Sequence, residues 1–415
     1  MLLMNGSGGG VGRRTGLVQP VWRAVEDDQG YFHPLGITWL WALYGQMFER
    51  QRIDAHVNFL TPYGYDYCRI LGQVKWTGRE IDPSRVDYEA NLGLLIDYLY
   101  ASMGMRTEIT LVGGSPNDPL DLCRKVCNVT RSRPDRVIAL EMWNESFATG
   151  GDFETIKAMA RYCQANSGVT LIGLTSPGGN DAELESAENQ VGVTLRTRHT
   201  ARQTGDNGWE MARQPYDFKD MAGVVDANEP PGPESSVVSL TNPLQLAMMR
   251  ALGVIEGGAL SVLHIGDMVQ GIDDPSHGRV ADLWNVNNID QILKTVRGID
   301  AYLPQGVENW VPKTLGHLDQ GPHALNPDVA GWNTGTGVNR AYAALGGQDF
   351  CEALLGIIDA TTLTLVAPGI NRCRVYGLNP LTGKTLDFEI GAGESIVIQG
   401  EPDGNSGYIL TTVKV

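Results

Sequence analysis

Cysteine is scarce and scattered. The six residues Cys68, Cys123, Cys127, Cys163, Cys351 and Cys373 lie along a 415-residue chain, a spacing that does not make a disulfide framework. Cys123 and Cys127 are four apart and can share a helix face. They have no second Cys/His pair with which to hold zinc, so buried thiols are the expectation. Basic charge is also short. Lys and Arg number 32 against 48 Asp and Glu, a net charge of −16, which argues against nucleic acid or an anionic membrane surface as a partner and disfavours strongly anionic substrates. No apolar run is long enough to span a membrane. The opening MLLMNGSGGGVGRRTG lacks the apolar core of a secretory leader. Its Gly6 to Gly12 stretch lacks the Gly-Lys-Ser/Thr ending and the preceding strand of a phosphate loop. A flexible lead over residues 1–16 is expected. The seven His residues are dispersed, the first strand carries no His-x-His pair, and no Gly-x-Ser-x-Gly elbow occurs. Metal-dependent and serine hydrolases are therefore disfavoured, and nothing calls for a metal or an organic cofactor.

What the chain does contain is an alternation of strand-like and helix-like patterns up to about residue 302. Strands are expected at Leu17–Trp22, Tyr65–Val74, Thr107–Val112, Val137–Met142, Val169–Leu174, Gly192–Thr197, Gly223–Ala227 and Ala259–His264. Several are near-continuous apolar runs, as parallel strands covered on both faces should be. Helical spacing appears between them at Leu92, Leu95, Leu99 and Met103. It recurs after a cap at Asp152 through Ile156, Met159, Ala160 and Cys163, after Thr241-Asn242-Pro243 through Leu246, Met249 and Leu252, and at Ile289, Ile292, Leu293 and Val296. The segments after the third, fifth and sixth strands carry weaker helix signals. Eight strand-then-helix units imply an α/β fold of the (β/α)8 TIM-barrel type, with the active site at the C-terminal ends of the strands. A doubly wound open sheet would use fewer strands and a Gly-rich first turn, which is missing after Trp22. The tail changes character. Alternation at Thr362–Val366, Cys373–Tyr376 and Thr385–Ile390, with turns at Asn379–Gly383 and Gly391–Gly393, predicts a small C-terminal antiparallel β domain. The expected division is a lead at 1–16, a barrel at 17–344 and a β domain at 345–415.

Two carboxylates stand where such a barrel would place chemistry. Trp143-Asn144-Glu145 closes the fourth strand, and Asn228-Glu229-Pro230 follows the seventh. Glu residues ending strands three apart around the barrel can converge over its axis, and glycosidic hydrolysis needs such a pair: one protonates the leaving oxygen, the other attacks the anomeric carbon or activates water. The Trp143-Asn144-Glu145 motif resembles the strand-four Asn-Glu of clan A glycoside hydrolases, the retaining (β/α)8 glycosidases. The resemblance spans roughly residues 17–302 in strand order and rests on short motifs. It implies that Glu145 is the general acid/base and Glu229 the nucleophile. It also implies that Arg69 supports the charge of the nucleophile, that His199 occupies the usual strand-six His or Tyr position, and that Asn144 contacts the sugar 2-hydroxyl. Departures from the pattern are Ser146 where many members have Pro, His264-Ile265-Gly266-Asp267 in place of a Trp after strand eight, and Asn228-Glu229-Pro230, which reads more like an acid/base motif. The roles of the two Glu residues therefore turn on the strand count. Trp143 is the first of nine Trp residues considered as a stacking platform for a sugar. Trp39, Trp41, Trp76 and Trp209 fall in or near the loops after strands one, two and six. His33, His264 and Asp267 are weaker site candidates, and Glu108 and Glu141 are expected to be structural.

The expected activity is hydrolysis of β-glycosidic bonds in a neutral poly- or oligosaccharide such as a glucan, mannan or xylan, by double displacement with retention. The carbohydrate is the expected partner. The alternative is a non-catalytic glycan-binding or virion structural protein on the same barrel. A leaderless polysaccharide-active chain would be cytoplasmic, released by lysis or carried on a phage or virus particle.

Overall fold

The computed structural model describes residues 13–175, 182–199, 221–235, 239–255 and 257–303, and, beyond them, 310–312, 326–328, 342–345, 351–357, 362–366, 372–399 and 407–414. It opens with a three-stranded antiparallel sheet: β1 (Gln19–Val21), β2 (Ala24–Asp27) and β3 (Gly30–Phe32). The barrel follows, with strands β4 (Leu35–Thr38), β5 (Tyr67–Gln73), β6 (Arg106–Val112), β7 (Val137–Trp143), β8 (Ile172–Thr175), β9 (Leu195–Arg198), β10 (Val224–Ala227) and β11 (Gly258–Leu263). All the paired neighbours are parallel, in the order β8-β7-β6-β5-β4-β11-β10-β9. This is the eight-stranded (β/α)8 barrel expected from the alternation of patterns. Every residue of β5, β6 and β7 is buried, because helices cover the outer face while side chains fill the inside.

The first barrel strand is not where the sequence pattern put it. Leu17–Trp22 forms the edge of the small antiparallel sheet, and Leu35-Gly36-Ile37-Thr38 opens the barrel between β5 and β11. Four buried residues without alternation, preceded by Pro34, give no strand signal of their own. The exchange is one for one, so the later strands keep their ordinal positions. The lead expected over 1–16 lies outside the described residues for 1–12. Residues 13–16 are held to the body: Arg14 pairs with Asp27 at 2.7 Å and Arg106 donates to the Gly16 carbonyl at 3.1 Å.

Helices α1 (Ala42–Phe48) and α2 (Arg50–Leu60) follow β4. Next come α3 (Tyr88–Met103), α4 (Pro119–Thr130), the single turn α5 (Ser146–Thr149) and α6 (Phe153–Asn166). The last are α7 (Ala182–Val191), α8 (Pro243–Ile255), the short α9 (Asp267–Gln270) and α10 (Ile289–Gly298). The caps explain where several begin. Asp152 accepts from Thr155 N at 2.9 Å and Asn242 from Leu244 N at 2.9 Å, each satisfying an orphan amide of a first turn. Ile289, Ile292, Leu293 and Val296 are all buried, as their spacing requires. Cys123, Cys127 and Cys163 meet under α4 and α6 as buried free thiols, Cys127 Sγ lying 3.7 Å from Cys163 Sγ. The segment after β9 lies outside the described residues. Among the described residues no helix is long and apolar enough to cross a membrane.

The barrel closes between β8 and β9, where side chains replace ladder bonds. The Thr194 hydroxyl accepts from Ile172 N at 2.8 Å and donates to the Thr170 carbonyl at 2.6 Å. The strands approach closely at Gly173, where an added Cβ would come 3.2 Å from Thr197 Cγ2. Antiparallel pairing takes over after the barrel, in a six-stranded sheet of order β12-β14-β15-β20-β17-β18 and a three-stranded sheet β13-β16-β19. The members are β12 (Trp310–Pro312), β13 (Asn326–Asp328), β14 (Tyr342–Leu345), β15 (Cys351–Ile357), β16 (Thr362–Val366), β17 (Cys373–Leu378), β18 (Thr385–Ile390), β19 (Ser395–Gln399) and β20 (Gly407–Lys414). Strands β12, β13 and β14 pair with later strands of the tail. Asn379 Oδ1 accepts from Leu381 N at 2.9 Å and Thr382 N at 3.1 Å, making the turn between β17 and β18.

The closing seam yields a test. Thr194→Val removes both bridging bonds at constant shape and is expected to cost about 1–3 kcal/mol, read by urea unfolding, whereas Thr194→Ser keeps the hydroxyl and should stay close to the parent.

Candidate active site

Side chains alternate along each strand, so polar residues two apart within apolar runs point together into the barrel. On β5 these are Tyr67, Arg69 and Gln73; on β6, Glu108 and Thr110; on β7, Glu141; at β10, Asp226 and Asn228. Arg69 stands at the centre and is wholly buried. A guanidinium offers five N–H donors, and five bonds leave this one. Nε donates to Thr110 Oγ1 (3.0 Å), Nη1 to the Asn228 carbonyl (3.4 Å) and Glu229 Oε2 (3.1 Å), and Nη2 to Glu141 Oε2 (2.8 Å) and Asn144 Oδ1 (2.7 Å). Thr110 passes the contact on, donating to Glu141 Oε2 at 2.6 Å. Burial by itself would raise Glu141, but the Arg69 charge outweighs it, helped by His199 and Thr110, and holds the carboxyl below the usual range.

Glu145 sits one residue beyond Asn144, at the junction of β7 and α5, with φ +45° and ψ +59°. That left-handed conformation costs a non-glycine residue about 1–3 kcal/mol and persists where the surroundings impose it. Three contacts impose it here. Asn144 N bonds the Val112 carbonyl (2.8 Å), Ser146 N bonds Thr175 Oγ1 (3.1 Å), and the Thr149 hydroxyl reaches the Asn144 and Glu145 carbonyls (3.2 and 3.1 Å). The bend turns Glu145 back over the barrel mouth, where its carboxylate is 29% exposed. His199, directly after β9, presents Nδ1 to Glu145 Oε1 at 3.0 Å and Nε2 to Glu229 Oε2 at 3.2 Å. The second approach lacks the alignment of a hydrogen bond. His264, directly after β11, lies with Nε2 4.0 Å from Glu229 Oε1 and Nδ1 3.0 Å from Thr38 Oγ1.

The structure thus brings together Glu145, Glu229, Arg69, Asn144 and His199, and adds His264 from the weaker candidates. Asn144 has its oxygen turned to Arg69, a donor-only group, which leaves its amide nitrogen facing elsewhere. Trp143 is a correction. The ring is 4% exposed, its Nε1 bonds Thr149 Oγ1 at 2.7 Å, and Gly151 lies against its face, so an added Cβ there would sit 2.8 Å from the indole. It braces the Glu145 turn and offers no open face for a sugar. Trp39 and Trp41 are also wholly buried, packed with His56 behind β4. Trp76 is half-buried, and Trp209 and the Asp267 side chain lie outside the described residues. His33 precedes β4, at the opposite end of the barrel from the site. Burial and the Arg250 charge lower it to about 3, so it is neutral there.

Glu108, Glu141, Asp226, Asn228 and Thr110 form a polar layer beneath the carboxylate pair. Alternation within the strands is the signal for it: it marks Glu108 and Glu141 as structural, while Thr110 and Asp226 are lost in the near-continuous apolar reading of their runs. Asn228 Nδ2 donates to Glu108 Oε1 and Glu141 Oε2, each at 3.1 Å. Burial, then the Asp226 charge, pushes Glu108 well above the usual carboxylate range, and burial pushes Asp226 up to about 7. Glu145, His199 and Glu229 each offer a ligand atom within 4.8 Å of the others, a donor set of the kind divalent transition metals take. The imidazole gives a different nitrogen to each carboxylate, however. The ring therefore stands between the two groups.

Neither a protein-family model nor a curated protein sequence matches the chain. Solved structures do match. A glycoside hydrolase family 5 protein from Bacteroides vulgatus superposes with a TM-score of 0.66 at 13% identity, covering 96% of this chain and 93% of the other. A second glycoside hydrolase gives 0.61 at 14%, covering 96% and 97%. An α-amylase from Geobacillus thermoleovorans, complexed with acarbose, gives 0.51 at 9%, covering 87% and 91%. What these likenesses establish is the fold: a barrel followed by β structure, as in those glycoside hydrolases.

Removing the central charge should expose how the cluster is held. Arg69→Met leaves Glu141 buried without its cation and is expected to cost about 3–5 kcal/mol at neutral pH. Glu141 is held below its unfolded value, so the stability it contributes is present above that value and lost as pH falls through the folded one. The gap between parent and variant should therefore narrow on acidification, measured by denaturant titration across the acid range.

Proposed function

We propose that this chain is a retaining β-glycosidase acting on a neutral poly- or oligosaccharide, with Glu229 as nucleophile and Glu145 as general acid/base. The observation that carries the reading is the approach of the two carboxylates, whose facing oxygens lie within 4.8 Å across His199. Retaining pairs stand roughly 5–5.5 Å apart, whereas inverting pairs leave room for water at about 6.5–9.5 Å. An oxygen-to-oxygen approach within 4.8 Å is compatible with the retaining spacing.

The surroundings support the division of roles. Glu229 is 13% exposed and bonded to Arg69, so its negative charge is compensated and it is suited to attack the anomeric carbon. Glu145 is the more open of the two and has the His199 imidazole at its oxygen, which suits a group that gives a proton to the leaving oxygen and then takes one from water. In the first step Glu229 forms the C–O bond to the anomeric carbon as the glycosidic bond breaks, and the Glu145 proton passes to the departing oxygen. In the second step Glu145 removes a proton from water, water attacks the same carbon, and Glu229 leaves. Asn144 and His199 flank the space where the sugar would lie. The glycoside hydrolase structures that share the fold are consistent with this chemistry and leave the sugar and linkage open.

Glu145→Gln and Glu229→Gln should each lower turnover of β-glycan substrates by about 10²–10⁴-fold or more with little change in folding, measured beside the parent on a panel of glucan, mannan and xylan. The anomer first released by the parent, followed by NMR, should be the β form. Full activity in both variants, or first release of the α anomer, refutes the mechanism, and tight glycan binding without hydrolysis by the parent would favour a binding protein. The two roles separate with aryl glycosides bearing activated leaving groups. Glu145→Ala should keep most of its first-step rate on them because they need no proton, while Glu229→Ala should not; the opposite pattern reverses the roles.

A further inference from the structure

The barrel interior holds more carboxylate than Arg69 can answer. Glu141 and Glu229 accept its Nη2 and Nη1 bonds. Glu108 lies 3.7 Å from its Nε, and Asp226 receives the Tyr67 hydroxyl at 3.3 Å. Glu108, Glu141 and Asp226 are wholly buried. Glu108 Oε2 and Asp226 Oδ2 are left without a donor, yet the two carboxyl groups are within hydrogen-bonding reach of each other. An ionised carboxylate only accepts, so this contact is attractive only when one member carries a proton.

We propose that Glu108 and Asp226 hold one proton between them at neutral pH, and that this shared proton keeps the Arg69 charge directed at Glu229. Without it, two further negative charges would draw on the same guanidinium from β6 and β10, and the bond between them would become a repulsion. The pair is faced by Tyr67 and Arg69 from β5, by Glu141 from β7 and by Asn228 beside Asp226, while Arg250 on α8 acts on Tyr67. Burial raises both carboxyls, in the direction a retained proton requires, and they titrate as a unit. Glu108 and Asp226 are positioning residues, since they act on the reacting carboxylate through Arg69. The catalytic consequence rests on Glu229 being the nucleophile; the proton itself does not.

The raised folded-state value sets the sign. The pair contributes stability that is fully present below the unfolded value and lost as pH rises through the folded one. The parent should therefore lose stability between mildly acidic and neutral pH relative to Asp226→Asn and Glu108→Gln, whose amides supply the missing donor at every pH. Identical pH dependence in parent and variants overturns the proposal. If neither variant folds, the infrared spectrum of the full chain as Glu145→Gln, which lacks the acid/base proton, decides it. A protonated-carboxyl band present at neutral pH and bleached at alkaline pH is expected, and its absence at neutral pH overturns the proposal. In kcat/KM, the alkaline fall of the parent should move to higher pH in either variant, whereas a merely structural role would lower the rate equally at every pH. A parent without glycosidase activity would refute the proposed function and leave the stability and infrared arms to judge the proton.

Discussion

One guanidinium in the middle of the barrel organises the site. Taking Arg69 out of water carries a penalty of several kcal/mol, repaid only where geometry is good and every donor is used. Here five bonds leave the fork, to Thr110, Asn228, Glu229, Glu141 and Asn144. Those acceptors come from β6, β7, the turn after β7 and the segment after β10. The charge thus ties together strands far apart in sequence and fixes the two segments that carry Glu145 and Glu229.

That arrangement explains why the polar layer lies beneath the carboxylate pair. Glu141 answers Arg69 from below, Glu229 answers it from above, and Asn228 bridges Glu108 and Glu141 with its amide. Lys could not replace the hub, because a compact ammonium with three donors cannot serve five acceptors in one plane. The strained backbone at Glu145 belongs to the same design. Trp143, Thr149 and Thr175 hold a conformation the residue would otherwise avoid, and the strain turns a side chain at a strand end toward the axis.

Much of this was legible before the structure. Near-continuous apolar runs marked parallel strands, Asp152 and Asn242 announced helix starts, and Glu145 and Glu229 followed the fourth and seventh strands. The failures have physical causes. Leu35–Thr38 is too short and too uniformly apolar to signal a strand, while Leu17–Trp22 extends into an antiparallel edge. Trp143 sits two residues before Glu145 in sequence, and nothing local reveals that Gly151 folds over its ring. Glu108 is expected to be structural from the sequence and Asp226 carries no signal of its own, because the meaning of an inward charge depends on what faces it across the barrel.

Sequence alone determined the periodicity of most elements, the places of seven of the eight barrel strands and which residue types end them. These follow from local chemistry: side-chain alternation, capping and the need to cover a strand on both faces. Tertiary structure decided which of those residues meet. The link from Arg69 to Glu229 spans 160 positions and that from His199 to Glu145 spans 54. Such distances close only when the barrel does, since it is the closure that turns strand ends separate in sequence into one ring. The electrostatics of the buried carboxylates belong to the same level, because they depend on how many negative charges a single buried cation is asked to balance.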